Sequence, residues 1–184
     1  MISARARDGF DQLLVRAIRS SLTLSPNDDC EIAVLDDTSG IAETKIIMLT
    51  ISSYVFRLVV FIHFSPNRQT KNYFAKLRKI APDEMSDQSF YDTIAECGNV
   101  CCGILNRELW EFYPHIGMST PNIMDRNCTT HLGALRHGHI RHFKIRVDDD
   151  FEFHAGLCVC DYADIDFAVK PEAIESSIGE LELF

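Results

Sequence analysis

Asp92, Glu96 and Asn99, followed by Gly103, form the pattern D-x-x-x-E-x-x-N-x-x-x-G. Wound at 100° per residue, these four positions fall at about 0°, 40°, 340° and 20°, a single narrow stripe of a helix. Glu96 and Asn99, three residues apart, are neighbours on that stripe, with Cβ atoms roughly 5–6 Å apart. Glu96 can offer a negative charge. Asn99 offers a carbonyl acceptor and an NH₂ donor without titrating near neutral pH. Together the pair could enter a partner's cleft. Solubility does not explain the choice of residues, because Asn is a middling helix former and an interior Gly costs about 1 kcal/mol relative to Ala. A glycine at 103 does remove a side chain where another backbone could approach. The plain alternative is that the stripe is only the wet face of an amphipathic helix.

The opposite side of the same segment is apolar. Phe90, Ile94, Cys97, Cys101, Ile104 and Leu105 fall between about 120° and 220°, a face suited to burial against a sheet. The helix is expected to start at Ser86 or Asp87, either of which can cap free N–H groups, and to run to about Trp110 before Pro114, as one helix or two.

Around it, the spacing of Phe10, Leu13, Leu14, Ala17, Ile18 and Leu22 predicts a first helix over 8–22. Ser25-Pro26-Asn27 breaks that pattern, and Glu31–Leu35 reads as a short strand. Thr44–Ile51 and Val55–Phe64 carry the strongest β signal and predict a hairpin turning at Ser52–Tyr54. Asn67–Ile80 is predicted as a second helix ending before Pro82. Ile140–Val147 and Phe151–Cys160 predict a second hairpin around Asp148–Asp150. The acidic end has weak periodicity, with a short helix after Pro171 at most. This order implies an α+β fold: a mainly antiparallel sheet of about six strands with helices packed against it. No tandem repeat is visible.

Composition narrows the classes. With 184 residues, 46% hydrophobic and 24% charged, the chain is expected to form one domain, 1–184. A formal charge of −9 and scattered basic residues argue against nucleic-acid binding. The longest apolar run, Ile46–Phe56, is too short to span a bilayer and ends at Arg57, and residues 1–20 lack the apolar core of a secretory signal. The seven cysteines show no framework spacing, so free thiols in a reducing cytoplasm are expected.

Two other clusters could carry chemistry. Cys128, His131, His137, His139 and His142 offer zinc-type ligands. They lack C-x-x-C or H-E-x-x-H spacing, however, and the stretch 131–142 reads as a loop leading into a strand, so no metal is expected. Cys97, Cys101 and Cys102 could suggest redox chemistry, but Cys97 and Cys101 face the buried side and read as core filler.

The stripe resembles the D/S-x-x-x-E-x-x-N signature of the CheC/CheX/FliY family of chemotaxis phosphatases, and its single copy is most similar to CheX. The flanking order fits the resemblance, as does Met118-Ser119-Thr120-Pro121-Asn122-Ile123, which is similar to the family's short S/L-P-x-I stretch. The likeness covers about 8–165, leaving the His-rich segment and an acidic tail, 166–184, unaccounted for.

The resemblance implies a phosphatase that hydrolyses the aspartyl phosphate of a CheY-like receiver domain. In it, Asn99 orients the attacking water, Glu96 docks on the receiver's active-site Lys, and Asp92 and Gly103 lie in the contact. It implies no cofactor of the chain's own, with Mg²⁺ on the partner receiver, and a homodimer paired through sheet edges. The alternative is a non-catalytic module that docks on a receiver or signalling partner through the same helix.

Overall fold

The computed structural model describes residues 1–24, 28–148 and 151–170. Its elements run α1 (Ala4–Leu22), β1 (Cys30–Leu35), β2 (Lys45–Ser52), β3 (Phe56–Phe64), α2 (Arg68–Arg78), α3 (Asp87–Trp110), β4 (Gly117–Met118), β5 (Asn122–Asp125), β6 (His139–Val147) and β7 (Phe151–Asp161). The α+β expectation holds, with seven strands rather than about six. The additional strand arises because β4 and β5 both pair with β2, with the register slipping by one residue between them. Pro121, which has no N–H to give the ladder, sits at that break, a tolerable place on an edge strand.

The strands lie in the order β1-β6-β7-β3-β2, with β4 and β5 along the outer side of β2, and all these pairs are antiparallel. The order is symmetric about the central β7–β3 pair. Hairpin β2–β3 faces hairpin β6–β7, β1 from the first half pairs with β6 of the second, and β5 from the second pairs with β2 of the first. The helices obey the same symmetry: α1 and α3 pack side by side and antiparallel, with Arg16 meeting Glu108 at 3.7 Å and Ser21 meeting Cys101. The chain is therefore built as two matching halves, α1-β1-β2-β3 and α3-β5-β6-β7, joined through α2, with the two-residue β4 added to the second, a relation that leaves no repeat in the sequence.

Helix α1 begins four residues before the expected Asp8, because the Ser3 hydroxyl accepts from the Ala6 N–H and caps it there. The core extends past the expected 8–165 at both ends. Ile2 bridges to Ile165, and Phe167 packs edge-on against Phe10. The main core lies between the helices and one face of the sheet. A smaller cluster covers the other face, where Ile46, Val59, Phe61 and Cys158 meet Leu132. Leu132 belongs to a run of 3-10 turns, Arg126–Ala134, so part of the segment expected as loop is helical and acts as a lid on that face. The break at 25–27, the turn at 149–150 and the expected helix after Pro171 fall outside the described residues.

Candidate functional site

Helix α3 is one unbroken helix of 24 residues. The Ser86 hydroxyl accepts from the Ser89 N–H at 3.1 Å, and Asp87, in the positive first turn, pairs with Lys71 of α2. Its buried residues are Phe90, Thr93, Ile94, Gly98, Cys101, Cys102, Leu105 and Leu109. Of the six expected to face inward, Cys97 and Ile104 are only half-buried. The buried sector is turned toward Gly98 and Cys102, and Gly98 is the reason. A Cβ there would lie 2.8 Å from Ile47 Cδ1 and 3.2 Å from Leu49 Cδ1, so the missing side chain lets the helix settle closely on β2. Sequence reasoning passed over Gly98, since only the tertiary contact reveals its role.

The polar stripe faces away from this contact. Asp92 and Glu96 are exposed, and Asn99 and Gly103 are half-exposed. Asp92 is partly engaged, accepting from Gln88 Nε2 at 2.8 Å. Among the described residues, no hydrogen bond or ion pair engages the side chain of Glu96 or Asn99. A Cβ built on Gly103 would meet nothing within 4 Å. The four residues singled out by spacing therefore share one solvent-facing stripe, and internal packing requires none of them. A carboxylate and a carboxamide held one helical turn apart, beside a bare patch of backbone, can present a charge and a two-way hydrogen-bonding group to another molecule at once.

The rival clusters come apart. Burial pushes the Cys97, Cys101 and Cys102 thiols up to about 12, so none is a ready nucleophile near neutral pH. The histidines go separate ways. His139 Nε2 is 2.7 Å from Asp11 Oδ1 on α1, His137 Nδ1 is 2.8 Å from the Leu135 carbonyl, and His142 lies on the sheet face away from the helices beside Phe61. Among the described residues, no group of three or more His, Cys, Asp or Glu side chains is arranged to hold a metal ion. Among the described residues, no helix is long and apolar enough to cross a membrane.

Compared by sequence, the chain matches no family model and no curated protein. Its fold has clear counterparts among solved structures. The chemotaxis protein CheX from Vibrio vulnificus superposes with a TM-score of 0.62 at 14% identity, over 82% of this chain and 99% of that one. CheX in the CheX–CheY–BeF₃–Mg²⁺ complex from Borrelia burgdorferi gives 0.59 at 11% identity, over 84% and 97%. Thermotoga maritima FliY gives 0.54 at 10% identity, over 87% and 91%. The resemblance seen in one helix thus extends to the architecture of nearly the whole described chain, which has the CheC/CheX-type fold common to these CheX and FliY structures.

Proposed function

We propose that this protein is a CheX-like phosphatase that removes the phosphoryl group from the aspartate of a response-regulator receiver domain. The observation that carries the reading is the uncommitted Glu96–Asn99 pair, outward-facing beside the bare backbone of Gly103. The fold adds support, since a structural counterpart was solved bound to CheY with BeF₃ and Mg²⁺.

The chemistry asks little of the helper. A phosphoaspartate hydrolyses unaided, so acceleration requires a water held in line with phosphorus and the exclusion of other geometries. When α3 enters the receiver's pocket, the Asn99 carbonyl oxygen accepts from the attacking water while its NH₂ contacts the surroundings. The water oxygen bonds to phosphorus, the bond from phosphorus to the aspartyl oxygen breaks, the carboxylate leaves, and the water's protons depart with inorganic phosphate. The Glu96 carboxylate pairs with the receiver's active-site Lys and fixes the depth of entry. Asp92 lies at the rim, and the absence of a side chain at Gly103 lets the receiver's backbone close in. The Mg²⁺ that offsets phosphoryl charge belongs to the receiver, and no cofactor is needed on this chain.

A purely docking protein would have no use for a carboxamide where the water lies, which favours the enzyme over the non-catalytic module. Phosphate loss from receivers of the same genome, phosphorylated with acetyl phosphate, tests the reading. The wild-type chain shortens the phosphate lifetime of at least one receiver, and Asn99→Ala abolishes the effect while retaining most binding. Binding without any change in lifetime would leave the docking module instead.

A further inference from the structure

Beside the stripe lies an open groove of about 510 Å³ where the three helices converge. Ser20 and Ser21 of α1, Leu77 and Arg78 of α2, and Glu96, Cys97 and Val100 of α3 surround it. Leu77, Cys97 and Val100 make much of its wall apolar, and Val100 is 43% exposed on a helix whose other aliphatic side chains are turned inward or half-buried. Arg78 of α2 lines the same groove as Glu96. It donates from Nη1 to the Thr93 hydroxyl at 3.3 Å, and that hydroxyl in turn donates to the Ser89 carbonyl at 2.6 Å. The guanidinium is thereby held in place with further N–H donors to spare. Among the described residues, no ion pair joins it to Asp92 or Glu96.

We propose that this groove is the part of the docking surface that selects the receiver. It takes a large apolar side chain standing next to the receiver's active-site Lys, while Arg78 pairs with an acidic residue flanking that side chain. The inference rests on the phosphatase reading and adds a partner specification to it.

Two features commit the groove to the receiver. The first is continuity: Asp92 and Glu96 belong both to the stripe and to the groove's wall, so a surface whose Lys meets Glu96 must also cover the groove. A volume left empty under that surface would forfeit the packing that well-fitted interfaces achieve. The second is charge. On a chain of net charge −9, a cation and a carboxylate lining one largely apolar groove call for a partner of complementary charge, with a Lys facing Glu96 and an acid facing Arg78. Charges so arranged discriminate among receivers that share the same catalytic pocket, because a receiver with Lys or Gly at these places meets repulsion or a void.

The test uses the full-length chain and the receiver whose acetyl-phosphate-derived phosphate it removes fastest. Val100→Asp and Arg78→Glu are each expected to raise KM about tenfold with kcat within about twofold, the mark of lost docking without lost chemistry. Changing to Lys the receiver's surface acidic residue that flanks the apolar side chain, outside the phosphoacceptor and Mg²⁺ carboxylates, is expected to recover at least roughly threefold of the Arg78→Glu defect, which a merely misfolded variant could not show. The proposal is overturned if both variants keep the wild-type KM while Asn99→Ala abolishes activity, or if kcat falls with KM unchanged. If the wild-type chain removes phosphate from no receiver, the phosphatase reading fails and the groove's role goes with it.

Discussion

Gly98 and Gly103 lie five residues apart on α3 and answer to different neighbours: a Cβ at Gly98 would press to 2.8 Å from Ile47 Cδ1, whereas one at Gly103 would meet nothing within 4 Å. Both substitutions to alanine gain the same helix propensity, so that contribution cancels between them. Gly98→Ala is expected to be less stable than Gly103→Ala by about 1–3 kcal/mol, the usual cost of overpacking a core. Urea unfolding of the two variants measures the difference directly. Gly103→Ala, the more stable of the pair, should nonetheless dephosphorylate receivers less efficiently, because its methyl occupies the bare patch.

If Glu96 meets the receiver's active-site Lys as proposed, reversing its charge sets two cations against each other. Glu96→Lys is expected to raise KM by about tenfold or more. The wild-type KM should climb with ionic strength as screening weakens the Glu96–Lys attraction, and the variant's should not. Steady-state assays at low and high salt check both statements.

His63 gives the fold an acid limit. It is 1% exposed and neither ring nitrogen has a partner. Burial pushes its pKa from an ordinary 6.5 down to about 4, with the Glu43 carboxylate offsetting part of the effect. Between those values the unfolded chain carries the proton and the folded chain does not, so stability falls as pH drops from 6.5 toward 4 and rises in the other direction. His63→Leu removes that contribution. The stability of the variant relative to wild type should improve by roughly 2 kcal/mol between pH 7.5 and pH 4.5, as read by denaturant titrations at the two values.

Thiol reactivity separates core from chemistry. Burial pushes Cys97, Cys101, Cys102 and Cys158 up to about 12. In the native protein these four should resist alkylation at pH 8 and react only after unfolding, and a brief alkylation of the native chain should leave phosphatase activity intact. Mass mapping of iodoacetamide adducts checks the pattern.

Among the described residues strand β1 pairs only with β6 and so forms an edge, and Val34 on it is 53% exposed. If two copies pair through that edge, Val34→Lys should shift the protein from dimer to monomer in light scattering, since an edge lysine opposes strand addition.

What could be read from the sequence was what is local. The 3.6-residue spacing of Phe90, Ile94, Cys101 and Leu105 placed α3 and aimed its polar stripe outward, and the β-branched runs at 44–64 and 140–160 placed both hairpins. The two-residue β4 and four-residue β5 were too short for alternation to register. The role of Gly98 depended on Ile47, some fifty positions away. The groove between α1, α2 and α3 joins residues from three separate segments, and no spacing rule connects Ser20 to Arg78 or Val100.

The mirrored strand order has a consequence for counting. The sheet seats two helices in equivalent places, but α1 contains neither a Glu nor an Asn, so the seat it fills is blank where α3 is armed. On the proposed reading each chain engages a single receiver at a time, and a titration should end at equimolar ratio however many copies of the chain assemble.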